Sequence, residues 1–143
     1  MSKPIAPRGS KRGRGCPKLI TVGTGAYGNE VTAVAEDAKT GRALGEAAAI
    51  LEKGAAVLSI AAVNVEKPGC GIGTRLYEAL AEEACSRHLQ LHSDSDLSNY
   101  SRSFWKKQQR KGRAVFVGDH YVIENPCTHA HDLSGVKRKK RSR

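Results

Sequence analysis

The sequence predicts a single α+β domain, and three observations carry that reading. Residues 19–51 hold strand-like segments separated by turns, the apolar segment 55–65 runs directly into a glycine-rich loop, and residues 74–87 and 97–111 carry helical patterns. A length of 143 residues suits one compact domain. Hydrophobic residues make up 39% of the chain and aromatic residues only 5%, so the predicted core is built from Ala, Val, Leu and Ile.

Residues 19–22 read as a first strand. In residues 30–36, Val31, Ala33 and Ala35 alternate with Thr32, Val34 and Glu36, the period of a half-buried strand. Residues 37–41 form a turn in which Gly41 can take a positive φ. Residues 42–51 are ambiguous, because Ala47-Ala48-Ala49 suits a helix while the flanking turns suit a strand; the position between strands decides for strand. Residues 55–65 are continuously apolar and predict a strand buried on both faces at the sheet centre. Residues 74–87 separate an apolar stripe, Leu76, Leu80 and Ala84, from a charged face and predict a helix. Residues 89–93 predict a short strand and residues 97–111 a second helix, with Phe104 and Trp105 at its middle and Gly112 ending it. Residues 113–117 and 120–124 pair as a hairpin across Gly118-Asp119, and no internal repeat is visible.

The formal charge of +10 comes from 24 Lys and Arg against 14 Asp and Glu, and it sits at the ends. Residues 1–16 carry Lys3, Arg8, Lys11, Arg12 and Arg14, and residues 134–143 carry Lys137, Arg138, Lys139, Lys140, Arg141 and Arg143, with no acid in either stretch. The expected organisation is therefore a disordered basic tail over 1–16, a nearly neutral folded body over 17–133, and a second disordered basic tail over 134–143. Such tails either aid solubility or contact nucleic acid or an acidic protein without sequence specificity. No apolar run follows the basic start, and the most apolar window is eleven residues, short of the roughly 18–20 a bilayer requires, so neither export nor a membrane span is expected. Cys16, Cys70, Cys85 and Cys127 form no Cys-x-x-Cys pair, and reduced thiols in a cytoplasm are the expectation, a host cytoplasm if the chain is phage-encoded. Cys127-x-His129-x-His131 lacks a fourth ligand nearby, so no metal is predicted.

Residues 63–74, Val-Asn-Val-Glu-Lys-Pro-Gly-Cys-Gly-Ile-Gly-Thr, place a strand, a glycine-rich loop and a helix start in succession. Glycines let the backbone approach a ligand closely, and the free N–H groups and dipole of a first helical turn attract phosphate. A Walker loop needs Gly-Lys-Ser/Thr, and no Lys precedes Thr74. A dinucleotide loop needs a third glycine where Thr74 stands and should follow its strand at once, whereas Glu66-Lys67-Pro68 intervene. Asp94 stands 21 residues beyond Gly73, as an acidic ribose ligand would, but the preceding hairpins do not suit a doubly wound sheet.

Pro68-Gly69-Cys70-Gly71-Ile72-Gly73, followed by residues 74–80, resembles the Gln/Arg-x-x-Gly-x-Gly/Ala loop and helix of the GCN5-related N-acetyltransferases, with Pro68 at the Gln/Arg position. Ser98-x-x-Ser101-x-x-Phe104-Trp105 is similar to that family's Asn-x-x-Ala-x-x-Phe-Tyr helix. The resemblance covers about residues 28–125 and leaves out the usual first two helices, as in compact bacterial and phage members.

The resemblance implies a mixed, mostly antiparallel sheet whose central strands, residues 55–65 and 89–93, splay apart to admit the pantetheine of acetyl-coenzyme A. Its amides would pair with backbone near Val63 and Val65, and its pyrophosphate would lie on Gly69, Cys70, Gly71, Ile72, Gly73 and Thr74. Ser98, Ser101 and Trp105 would add contacts from the second helix. The implied reaction is acetyl transfer to a primary amine, preferably a protein lysine or N-terminus, since basic tails would help hold a large acidic partner. Glu46, through water, or His92 is the expected base. Trp105 replaces the family's acidic Tyr, which leaves Tyr100 as proton donor, or else a thiolate of pKa near 8.5 departs unaided. The competing reading is a nucleic-acid-associated binding protein with a degenerate coenzyme A or nucleotide site.

Overall fold

The computed structural model describes residues 15–66 and 69–133; residues 1–14 of the expected N-terminal tail and the whole expected C-terminal tail, 134–143, lie outside the described residues. Seven strands form one sheet: β1 (Ile20–Tyr27), β2 (Glu30–Asp37), β3 (Ala43–Glu52), β4 (Val57–Val65), β5 (Gln90–His92), β6 (Val115–Val117) and β7 (His120–Ile123). Their order is β1-β2-β3-β4-β5-β7-β6, with β4 and β5 parallel and every other pair antiparallel. Helix α1 (Ile72–Ser86) joins β4 to β5, α2 (Asn99–Arg110) joins β5 to β6, and the one-turn α3 (Pro126–His129) follows β7. This is the α+β, mixed and mostly antiparallel sheet with two main helices that the sequence predicts. Among the described residues, no helix is long and apolar enough to cross a membrane.

Residues 42–51 do form a strand, because β3 pairs along its length with β2 on one side and β4 on the other. The first strand is longer than expected: the two-residue turn at Gly28-Asn29 lets all eight residues of β1 pair with β2, glycines included. No helix separates these strands, in keeping with the compact form.

Paired residues of neighbouring strands share a face of the sheet. Val31, Ala33 and Ala35 of β2, Ala47 and Ala49 of β3, and Leu58 and Ile60 of β4 are buried on the face covered by α1, whose Leu76, Leu80 and Ala84 recur every four residues. Alanines on the sheet let the helix approach closely. On the same face, Phe104 and Trp105 of α2 meet Tyr77 of α1 and Tyr121 of β7 in one aromatic cluster. The opposite face, with Glu46, Ala48, Ile50, Ser59 and His92, carries no helix among the described residues.

The expectation that residues 55–65 are buried on both faces is corrected. Residues 53–55 make a 3-10 turn, and only Val57, Leu58 and Ile60 of β4 are buried, while Ala61, Ala62 and Asn64 are exposed. The reason is the partner strand: β5 has three residues and covers only Val57, Leu58 and Ser59.

The expectation of reduced thiols is also corrected. Cys16 is bonded to Cys70 and Cys85 to Cys127, leaving no free cysteine among the described residues. Each pair is brought together by the fold rather than by spacing: the lead into β1 lies beside the loop before α1, and α3 packs on the C-terminal half of α1. Cys16, one residue before the expected start of the body, is thus tied into it. Cys127 is consumed by its disulfide and cannot serve a metal site with His129 and His131.

Candidate active site

The loop after β4 has the backbone of a ligand cradle. Gly69 and Gly71 take φ of 95° and 78°, the left-handed region where a side chain is strained. Gly71 caps α1, no side chain among the described residues bonds the first-turn N–H groups, and no acidic residue sits in that turn. Helix α2 differs, since the Ser98 Oγ accepts the Ser101 N–H at 3.1 Å. The first turn of α1 therefore keeps its donors for an anion. Gly73 closes the cradle: a Cβ there would lie 3.2 Å from Tyr100 Cε2 and 3.4 Å from Val65 Cγ2. The disulfide from Cys16 anchors Cys70 at the middle of the loop. Pro68 lies outside the described residues. Arg75, at the helix start, donates instead to the Ile20 carbonyl at 3.1 Å.

Pairing between β4 and β5 stops at Ser59 and His92, so the two strands part as the splayed reading requires. A bulge assists: Ala48 opposes Ala62 while Ala49 opposes Ile60, leaving Ala61 as an extra residue in β4. Beyond it, the edge of β4 facing α2 has no strand partner among the described residues. A cleft of about 200 Å³ runs along this edge, between residues 60–64, Tyr77, and Asp94, Asp96, Leu97, Ser98 and Ser101. Its backbone donors and acceptors suit an extended amide-bearing chain.

Of the predicted cofactor residues, Val63, Ser98 and Ser101 border the cleft, residues 69–74 form the cradle, and Val65 lies against Gly73. Trp105 does not border the cleft; it is wholly buried, edge-on to Tyr77 at 5.5 Å and stacked with Tyr121 at 5.9 Å. Its place in the aromatic core corrects the expected cofactor contact. Tyr100 does not border the cleft; it is half-exposed, with its ring edge against Gly73 at the start of α1.

Glu46 and His92 lie on the helix-free face. Glu46 opposes Asn64 and lines an open groove of about 380 Å³ with Val34, Val65 and Glu66; Asn64 borders both this groove and the cleft. His92 stands where the strands part. Its Nδ1 lies 3.0 Å from His120 Nε2 and its Nε2 lies 3.1 Å from Gln90 Oε1, while His120 Nδ1 lies 2.8 Å from Asp119 Oδ1. Burial pushes the His92 pKa down, the neighbouring His120 adds to the effect, and Glu52 opposes it. Asp119 is held below the usual carboxylate range by its hydrogen bond to His120.

Sequence reasoning passed over Tyr77, whose hydroxyl donates to Ser101 Oγ at 2.8 Å at the wall of the cleft. Burial pushes its pKa up, against the smaller effect of the Ser101 hydrogen bond. The available signal was its spacing, four residues after Gly73 and so on the same helix face.

No family model matches this sequence, and no curated protein matches it. Solved structures do. A cAMP-binding acyltransferase from Mycobacterium smegmatis, in a variant form, matches with a TM-score of 0.55 and 20% identity over 76% of this chain and 33% of its own. A protein assigned as a streptothricin acetyltransferase from Bacillus anthracis, in complex with acetyl coenzyme A, matches with a TM-score of 0.50 and 15% identity over 68% of this chain and 61% of its own. The chain thus spans a third of the first neighbour's length and under two thirds of the second's. The fold is the GCN5-related N-acetyltransferase fold.

Proposed function

We propose that the chain transfers an acetyl group from acetyl-coenzyme A to a primary amine. The carrying observation is the continuity of three features: a strand edge without a partner beyond Ser59, a cleft along it, and an uncapped helix N-terminus at its end. An acyl-pantetheine chain ending in a pyrophosphate has the same three parts.

Each group of residues has a distinct task. The β4 backbone over residues 60–65 pairs with the pantetheine amides and holds the thioester at the bulge. The α1 amides after Gly71 hold the pyrophosphate, with open space where a Cβ at Gly69 or Gly71 would stand and Tyr100 and Val65 packed against Gly73. The acceptor approaches from the helix-free face, where a segment of another chain can lie across the sheet; this favours a protein lysine or N-terminus. Attack requires a neutral amine. Glu46 makes no hydrogen bond or ion pair among the described residues and faces the groove that Asn64 joins to the cleft, so it takes the amine proton through water. Both ring nitrogens of His92 are already engaged, which makes it the lesser base.

Calorimetric titration with acetyl-coenzyme A tests the reading directly, followed by detection of released thiol with peptide amines. Saturable one-to-one binding and amine-dependent thiol release are expected. Absence of binding by the folded protein would overturn the assignment.

A further inference from the structure

We infer that Ser101, held by Tyr77, is the hydrogen-bond donor that meets the sulfur of coenzyme A as the thioester breaks. This rests on the acetyl-transfer reading and assigns a role that reading leaves open. The residue expected to serve the sulfur from α2 is Trp105 by position, and Trp105 is wholly buried without access to the cleft. Ser101 stands four residues earlier, on the same face of α2 and one turn nearer the cleft, which it borders. Asp94 and Asp96 also border the cleft, but a carboxylate repels a developing thiolate. Ser98 borders the cleft too, but its Oγ accepts only the Ser101 backbone N–H at 3.1 Å, a longer bond than the 2.8 Å one that Ser101 accepts from the Tyr77 hydroxyl.

Ser101 is prepared for the task by Tyr77. A hydroxyl oxygen that accepts one hydrogen bond donates its own proton more strongly, and the Tyr77 hydroxyl supplies that bond at 2.8 Å. The Tyr77 ring is fixed by stacking on Phe104 at a centroid distance of 4.2 Å and by Trp105 at 5.5 Å. With the Tyr77 proton on Ser101 Oγ, the Ser101 proton is left for the cleft that this residue borders.

In the reaction, the amine nitrogen bonds to the thioester carbon and the C–S bond breaks with its electron pair on sulfur. The amine proton passes to water and the Glu46 carboxylate. Ser101 keeps its proton and donates a hydrogen bond to the thiolate, which is later protonated by solvent.

The bound thiol of coenzyme A itself reports on this donor, without any acceptor amine. With the full-length protein saturated by coenzyme A, the ultraviolet absorbance of the thiolate is followed against pH. In the parent, the bound thiol should titrate about one pH unit below the value near 8.5 of a free thiol. Ser101→Ala should return it to the free value, Tyr77→Phe should remove part of the shift while keeping the ring stack, and Ser101→Thr should restore it. Should Ser101→Ala disturb the fold through the orphaned Tyr77 hydroxyl, the Ser101→Ala/Tyr77→Phe double variant carries the same expectation. Parent and Ser101→Ala proteins that both bind coenzyme A and titrate alike would overturn the inference and leave the acetyl-transfer reading standing. A parent that binds no coenzyme A would overturn both.

Discussion

Replacing Gly73 by Glu separates the cradle from the fold. A Cβ at this position meets Tyr100 Cε2 at 3.2 Å and Val65 Cγ2 at 3.4 Å, and only the first contact is tight. Tyr100 is half-exposed, so its ring edge can move aside. Gly73 lies inside α1 with φ outside the left-handed region, so a side chain adds no backbone strain and recovers about 0.5–1 kcal/mol of helix propensity. For Gly73→Ala crowding and propensity oppose each other, and stability should change by less than about 1 kcal/mol; Gly73 is buried, so Gly73→Glu also desolvates a carboxylate and should cost a further ~1–3 kcal/mol. Affinity should respond far more. Two like charges 4 Å apart at an effective dielectric of about 20 repel by roughly 4 kcal/mol. That energy corresponds to an affinity loss of up to about a thousandfold. Gly73→Ala, which adds bulk without charge, should lose about tenfold. Calorimetry with acetyl-coenzyme A measures the affinities and thermal unfolding measures the fold. Gly73→Glu protein that binds as tightly as the parent would refute the placement of pyrophosphate on this loop.

Reduction of the Cys85–Cys127 disulfide, or Cys127→Ser, should cost up to about 4 kcal/mol in urea unfolding, the chain-entropy value for a separation of 42 residues, and unchanged midpoints would show that the link adds nothing to the fold. The His92 pKa is lower in the folded state than its ordinary 6.5, so the unfolded chain takes up the proton first; stability should fall as pH drops below about 6.5, and His92→Gln should flatten this dependence in denaturant titrations from about pH 7.5 to about pH 5.5. A chain trimmed to residues 15–133 should bind acetyl-coenzyme A with parental affinity in calorimetry, since it keeps Cys16 and its disulfide. If the full chain is retained on DNA with a steep salt dependence, the trimmed chain should lose it, and equal retention would locate that binding on the domain.

The glycine loop and α1 were legible because both depend on local spacing: glycines two residues apart and an apolar stripe at helical period. The strand at Ala47-Ala48-Ala49 was readable from its neighbours, since a helix could not pair on both sides between such short turns. The partial exposure of β4 was not, because a three-residue partner and a bulge at Ala61 leave no mark on the pattern of residues 57–65. Neither were the disulfides, whose partners are separated by 54 and 42 residues and meet only through tertiary packing. Tyr77 was hidden for another reason. An aromatic residue beside an apolar stripe reads as core, which its ring is; its hydroxyl alone reaches the cleft wall.

The bond between Cys16 and Cys70 fastens the lead of an edge strand to the middle of the anion cradle. With the bond closed, Cys70 is tethered before any anion arrives, and less conformational entropy is left to lose on binding. With the bond open, the same binding event must also order the loop. Closure and occupancy are then linked equilibria, and linkage is reciprocal: whatever closure adds to the affinity of the cradle, an occupant returns as resistance of the bond to reduction. A cell that shifts its thiol balance would therefore change the cradle's affinity, and one that fills the cradle would shift the potential at which the bond opens.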